Sequence, residues 1–204
     1  VAPLGNVVLV GLNDPTDGLG LSRILLNGPD PDPLVKASQF KDENGLALTR
    51  TGRVLDLVRD PLNSQTVFAA IPDAAVQVGS IITSKGGVYR SIDGGLNWTR
   101  ISSPALNSLM VPVASGTPGA PSSTATGRVL LSLHHSTSTG IEQNFLYVGI
   151  VNGNAIAGLF RGDMSSDTWR SIKVPSVHEG KHGDLHFSLV ADPVASNRVF
   201  VGGD

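Results

Sequence analysis

The chain has 204 residues, of which 40% are hydrophobic and 16% charged, a composition that packs a core and excludes a disordered chain. Its formal net charge of −2 argues against a nucleic-acid partner. The sequence has no run of 18 apolar residues, so it predicts no transmembrane segment. The absence of cysteine excludes disulfides, thiolate catalysis and cysteine-based zinc sites.

Turn-forming residues are spread along the whole chain. The 24 glycines and 13 prolines are expected where many short strands need many turns, and they would destabilise a helical bundle. The chain does not begin with Met and lacks a basic-then-apolar leader pattern. We therefore expect either a removed leader or an internal piece of a longer protein. With the lack of cysteine, this favours an extracellular or cell-envelope location.

The first fifty residues read as a partial four-stranded unit. Strands are predicted at 6–12, 19–25 and 34–39. Asp14 and Asp17 stand in the turn between the first two, where their oxygens could hold Ca²⁺. The full spacing of a calcium loop is absent, so a simple turn is the competing interpretation.

The next two units are more regular. Residues 54–101 predict four strands, and residues 128–173 predict four more after a Ser, Thr, Gly and Pro-rich insertion. Residues 185–204 then predict a half unit of two strands. The predicted strands are 54–59, 66–71, 87–92 and 97–101; 128–134, 145–151, 157–162 and 168–173; and 185–190 and 198–203.

Three histidines precede the last half unit. His178, His182 and His186 are spaced at i, i+4 and i+8, but glycines between them argue against a helix. Imidazole is a good zinc ligand, so a Zn²⁺ loop site that includes Asp184 is one hypothesis. The alternative is that His186 starts an inner strand and the other two are solvated.

Two internal repeats connect the units. Residues 87–101 align with 158–172 at an offset of 71, and 57–69 align with 189–201. The second repeat places an Asp-Pro turn between two strands, at Asp60 and at Asp192. Four-stranded units of this size are typical of β-propeller blades. We therefore predict an all-β fold, a β-propeller portion of about three blades, in one domain over 1–204.

One hairpin carries a specific motif. Residues 91–98 have the form Ser-x-Asp-x-Gly-x-x-Trp, with Ser91, Asp93, Gly95 and Trp98 at the defining positions. This resembles the Asp-box (BNR repeat) of sialidases, sortilin-type receptors and xyloglucan-cleaving glycoside hydrolases. The second copy is degenerate but keeps Trp169. The resemblance implies that these residues stabilise the fold, on a rim away from any active centre.

Catalysis finds weak support in the sequence. A glycoside hydrolase needs two carboxylates that flank the sugar bond, and the inner-strand candidates are Asp56 and Asp184. A sialidase also needs an arginine cluster and a tyrosine nucleophile. Tyr89 and Tyr147 are the two tyrosines, and both occupy repeat core positions.

We therefore predict a noncatalytic module that binds or scaffolds a protein or carbohydrate ligand, with no required cofactor. The alternatives are a carbohydrate-active glycoside hydrolase of the xyloglucanase or sialidase-like type, and a self-assembling structural subunit. About three blades are too few to close a propeller, which predicts a fragment or self-association through open blade edges.

Overall fold

The computed structural model describes residues 2–4, 7–12, 20–26, 36, 39–112, 125–137, 140–175 and 183–203. These residues form an all-β protein, in which strands are joined by turns and two single-turn helices. The chain divides into two compact units, Val1–Ile101 and Ser102–Asp204.

The first unit contains three antiparallel or mixed sheets. One is a three-stranded sheet in the order β1-β2-β3, and a second is a separate hairpin, β7-β8. The largest has the order β4-β10-β9-β6-β5, in which β5, β6, β9 and β10 form an antiparallel meander and β4 adds parallel to β10. The strands are β1 Ala2–Leu4, β2 Val7–Gly11, β3 Leu21–Leu25, β4 Phe40–Lys41, β5 Asp56–Arg59, β6 Val67–Ile71, β7 Ala75–Val78, β8 Ile81–Ser84, β9 Gly87–Ser91 and β10 Trp98–Arg100.

The second unit contains a four-stranded antiparallel meander in the order β11-β12-β13-β14 and a hairpin of β15 and β16. A single-turn helix, α1, precedes the meander, and another, α2, precedes the hairpin. The elements are α1 Pro104–Asn107, β11 Thr126–Ser136, β12 Gln143–Asn152, β13 Ala155–Asp163, β14 Thr168–Ile172, α2 Gly183–His186, β15 Ser188–Ala191 and β16 Val199–Gly202.

Most predicted strands are confirmed to within a few residues. Most of the strand expected at 34–39 lies outside the described residues; residues 36 and 39 are not in a strand, and a two-residue strand begins at Phe40. One prediction is wrong. The strand expected from residue 185 begins at Ser188, because residues 183–186 form a helical turn.

The buried faces of the strands explain the two cores. All five side chains of β6 are buried, as expected for the centre of a sheet. In the first unit, one apolar cluster joins the three-stranded sheet to the five-stranded sheet, with Leu9 and Leu21 packed in the same cluster as Trp98. In the second unit, Tyr147 and Leu159 from the meander cluster with Phe187 and Leu189.

The Asp-Pro turns have the same geometry in both units, as the sequence repeat predicts. The Asp60 carboxylate accepts hydrogen bonds from the N–H groups of Leu62 and Asn63, at 2.9 and 3.2 Å. The Asp192 carboxylate accepts the corresponding bonds from Val194 and Ala195, at 2.8 and 3.0 Å. Both aspartates therefore form turns, as expected from their recurrence.

The hairpins between the third and fourth strands also share one register. Arg90 pairs with Thr99 in the first unit, and Arg161 pairs with Arg170 in the second. These positions are related by the 71-residue offset of the sequence repeat. The repeat therefore places two equivalent hairpins, one in each unit, that can be compared residue by residue.

Candidate functional site

The first of these hairpins, residues 91–98, is closed by its own side chains. The Ser91 hydroxyl donates to the Asp93 carboxylate at 2.8 Å and accepts from the Gly95 N–H at 2.9 Å. Gly95 has φ of +87°, a conformation that glycine adopts without strain. A Cβ there would lie 2.7 Å from Leu9, so the turn also requires glycine for its packing.

Asp93 is the centre of this network. One of its carboxylate oxygens accepts from the N–H groups of Leu96 and Asn97, at 3.1 and 2.9 Å. The other accepts from the Asn97 side-chain amide at 2.8 Å. Burial raises the pKa of Asp93, but the bonds from Asn97, Ser91 and Leu96 together outweigh burial and lower its pKa below the usual value.

Trp98 fixes the hairpin to the core. Its side chain is 1% exposed, its indole N–H donates to the Gly95 carbonyl at 3.0 Å, and its ring stacks on Phe40 at 5.3 Å between centroids. Outside the hairpin, Arg23 and Gln39 donate to the carbonyls of residues 94 and 96. The polar groups of the motif thus form hydrogen bonds within the turn, and their role is structural.

The second hairpin, residues 162–169, lacks this network. Gly162 stands where the first hairpin has its serine, and Asp163 accepts one bond, from the Ser165 N–H at 2.9 Å. Asp167 has a positive φ of 52°, in place of the paired glycines. Trp169 is half-buried, against the nearly complete burial of Trp98.

A cleft of ≈ 220 Å³ opens beside this second hairpin. It combines aromatic, cationic and hydrogen-bonding groups, and its lining contains one carboxylate. The lining residues are Phe145, Arg161, Asp163, Thr168, Trp169 and Arg170.

The two arginines of the cleft are held differently. The Arg161 guanidinium lies 3.6 Å above the centre of the Phe145 ring, and Arg161 shares a face of the sheet with its cross-strand partner Tyr147. Arg170 is exposed. Burial raises the pKa of Tyr147, an effect that the positive charges of Arg161 and Arg170 partly offset.

The cleft was not predicted from the sequence. The repeat alignment singled out Arg161, because an arginine recurs at that position. It did not weigh Arg170, which replaces the first unit's Thr99, or Phe145, which comes from another strand. These departures from the repeat are the signal that could have located the cleft.

The two carboxylates predicted for catalysis lie in different units. Asp56 is half-buried in β5, and its carboxylate accepts from the Leu57 N–H at 2.8 Å. Asp184 belongs to the helical turn α2, and its side chain lies outside the described residues. A catalytic part for either residue stays a prediction.

Of the metal candidates, Asp14, Asp17, His178 and His182 lie outside the described residues. His186 is exposed and ends the helical turn α2, so the expectation that it starts a strand is wrong. In the described ranges, no three acidic or histidine side chains are grouped as a metal site.

One other histidine is buried. His134 of β11 is 2% exposed, and its Nδ1 lies 2.7 Å from the Asp192 carbonyl. It thereby joins the meander of the second unit to the turn of the β15–β16 hairpin. This contact ties β11 to that turn, and His134 is the cross-strand partner of the cleft residue Phe145.

Comparison with protein-family models gives no match, and a search of curated proteins gives none either. Within the part of the chain that the structure describes, no helix has the length and apolar character needed to span a bilayer.

Proposed function

We propose that this chain is a noncatalytic binding module built on an Asp-box β-propeller frame, exported from the cytoplasm. Two four-stranded antiparallel meanders with matched hairpin registers support the frame, because a propeller blade is a sheet of this kind. The closed network of Ser91, Asp93 and Trp98 supports the Asp-box assignment.

The observation that carries the binding function is the cleft beside the second hairpin. Phe145 supplies apolar surface, while Arg161, Arg170 and Thr168 supply directed polar groups. Concave sites with a few convergent polar groups are the usual places for small ligands. A protein or carbohydrate group that docks at this cleft would be held without chemical change.

Hydrolysis is the less favoured function. Glycoside hydrolysis uses two carboxyl groups about 5–10 Å apart, and the lining of the cleft supplies Asp163 alone. The alternative therefore depends on Asp56 and Asp184, and the side chain of Asp184 lies outside the described residues.

Self-association is a second candidate, favoured by the hairpin β7–β8. Three apolar side chains near its tip, Val78, Ile81 and Ile82, are 70%, 69% and 64% exposed. An apolar and uncharged hairpin of this kind can pair with a second copy of the chain. Light scattering of the purified protein, compared with an Ile81→Thr and Ile82→Thr double variant, measures this directly.

The binding function is tested by asking whether the chain retains a ligand and whether it cleaves one. The purified chain is screened on immobilised oligosaccharides and candidate proteins, and incubated with xyloglucan oligosaccharides that are then analysed by mass spectrometry. We expect retention of at least one ligand and no cleaved product. Product formation that is lost in Asp56→Asn or Asp184→Asn would overturn the proposal in favour of the hydrolase.

A further inference from the structure

Hairpin β7–β8 of the first unit has one occupied edge and one open edge. The occupied edge belongs to β7, where Ala75 pairs antiparallel with Arg50. The Ala75 N–H donates to the Arg50 carbonyl at 3.0 Å, and the Ala75 carbonyl accepts from the N–H groups of Thr49 and Arg50 at 3.0 and 3.2 Å. The Gln77 N–H donates to the Thr49 hydroxyl at 2.9 Å. The segment at residues 49–50 therefore caps the outer edge of β7.

The open edge belongs to β8. Val78 and Ile81 flank the two-residue turn and pair with each other, so the backbone groups of Ile82 and Ser84 point away from β7. The capped groups of β7 obey the same alternation, since they belong to the cross-strand partners of these two residues. In the ranges that the structure describes, no hydrogen bond reaches the outward N–H and C=O groups of Ile82 and Ser84.

The composition of β8 does not discourage pairing with another strand. All four side chains of Ile81–Ser84 are exposed, and the strand has no proline, no bulge and no charge. Prolines, bulges and charges are the devices by which edge strands normally avoid association. The first charged residue after the strand is Lys85, and its Nζ lies 2.7 Å from the Asp42 carboxylate. No unpaired charge therefore guards this edge.

Two kinds of group on the hairpin need a partner. The exposed apolar side chains lie on both faces, with Ile82 on one face and Val78 and Ile81 on the other. A lipid surface would cover these side chains but leave the backbone groups of Ile82 and Ser84 without hydrogen bonds, which is costly in hydrocarbon. Another β-strand satisfies both kinds of group, because it bonds to the edge and extends each face of the sheet.

The strand that fits this edge is β8 itself. When two copies of β8 run antiparallel about a two-fold axis through Thr83, Ile82 of each copy lies opposite Ser84 of the other. Both residues direct their N–H and C=O groups outward, so each pair exchanges two hydrogen bonds, as in a regular antiparallel ladder. The pairing also extends a two-stranded hairpin, which is marginal alone, to four strands.

We propose that two copies of the chain join through β8 into one four-stranded sheet, in the order β7-β8-β8-β7. The inference rests on self-association, the second candidate function, and adds the strand, the register and the stoichiometry. Because the segment at 49–50 caps the outer edge of β7, the assembly closes at two copies and does not grow into a fibre.

The size of the junction sets the strength of the dimer. Two four-residue strands meet over about 13 Å, so the interface belongs to the weak class that buries less than about 1,200 Å². We therefore expect a dimer that forms and dissociates with concentration.

Amide hydrogen exchange of the whole chain, followed by NMR over a concentration series, reads the pairing at single residues. We expect exchange at the Ile82 and Ser84 amides to slow as the concentration rises. The Gln77 amide, which is already bonded to Thr49, should keep its rate. Sedimentation velocity of the same samples should show a monomer that converts to a dimer, with no larger species.

The matched variants are Ile82→Lys and Gln77→Lys, because the two residues are exposed cross-strand partners on one hairpin. Ile82→Lys places a charge on the open edge, and the two-fold axis repeats it, so the dissociation constant should rise about tenfold or more. Gln77→Lys places the same charge on the capped edge and should change the dissociation constant less than about twofold.

Three outcomes would overturn the inference. They are exchange at Ile82 and Ser84 that does not depend on concentration, equal effects of the two lysine substitutions, and species larger than a dimer. If the chain dimerises while exchange at Ile82 and Ser84 stays constant, self-association stands and pairing through β8 fails. If the chain stays monomeric at every concentration, both fail.

Discussion

The hairpins at residues 91–98 and 162–169 occupy equivalent positions of the sequence repeat but use their side chains in different ways. In the first, Ser91 and Asp93 bond to the turn itself, and Trp98 is buried under it. In the second, Asp163 makes one turn bond, and Trp169 is half-buried beside an open cleft. Where the motif is complete, its polar groups form hydrogen bonds within the hairpin.

The contrast teaches where to look for function in a repeat protein. A motif that recurs with its full set of hydrogen bonds reports on stability, since each group already has a partner. A copy that has lost those bonds exposes the same strand positions to a ligand. In this chain the departures at Phe145 and Arg170 coincide with the cleft.

The largest expected difference between the hairpins concerns their tryptophans. Trp98→Ala removes a fully buried ring that stacks on Phe40, which should lower the free energy of unfolding by about 3–5 kcal/mol. Trp169→Ala removes a half-buried ring and should cost about half as much. Urea unfolding followed by far-UV circular dichroism measures both.

Equal losses of unfolding free energy for the two variants would contradict the comparison, since they would mean that Trp169 stabilises its unit as much as Trp98 does. Trp98→Phe is the matched control. It keeps an aromatic ring against Phe40 but removes the bond to the Gly95 carbonyl. We therefore expect Trp98→Phe to lose less than half of the free energy of unfolding that Trp98→Ala loses.

The next difference is that the two hairpins cannot exchange their first residue. Gly162→Ser would place a Cβ 2.5 Å from Met164 and 2.9 Å from the Trp169 ring, which should cost about 1–3 kcal/mol. Ser91→Gly loses the bonds to Gly95 and Asp93, at about 1–2 kcal/mol. Thermal unfolding of the two variants measures the loss.

A stabilising Gly162→Ser would show that the second hairpin is merely an incomplete copy of the first, whose network serine can restore. Ser165→Ala, at an exposed position of the same turn, is the control, since it keeps the backbone N–H that bonds to Asp163. It should shift the free energy of unfolding by less than about 0.5 kcal/mol.

Much of the fold could be predicted because its signals are local. The runs 67–71 and 146–150 are short and apolar, and the Asp-Pro turns at Asp60 and Asp192 separate strands in the same way each time. Hairpin β7–β8 was missed although Gly79 turns between two β-rich runs, because the four-strand repeat left no place for it. The short strand at Phe40 depends on its partner β10, which no local pattern reveals.

The cleft was harder to predict than the fold for a physical reason. Its residues come from three strands, and they meet because of the cross-strand register that joins Tyr147, Arg161 and Arg170. Periodicity within one strand tells which side chains share a face, but not which strand lies beside it. The residues of the 91–98 motif were found because they are contiguous.

The smallest difference between the hairpins is in their response to acid. Asp93 has a pKa below its usual value of 3.8, so its carboxylate stabilises the folded first unit above that value. The contribution is lost as the pH falls through the lowered pKa of the folded state. We therefore expect the stability gap between the wild type and Asp93→Asn, measured in urea through the indole N–H NMR signal of Trp98, to be full at pH 7 and to close towards pH 2. Asp42 and Glu43, whose pKa values are also lowered, affect both proteins alike and cancel in the gap.

Asp163→Asn, followed through the same Trp98 signal, should leave the acid response of the first unit unchanged. A gap that persists undiminished at pH 2 would mean that Asp93 acts through its shape and not through its charge. The charge of Asp93 would then not explain why the first hairpin is closed and the second is not.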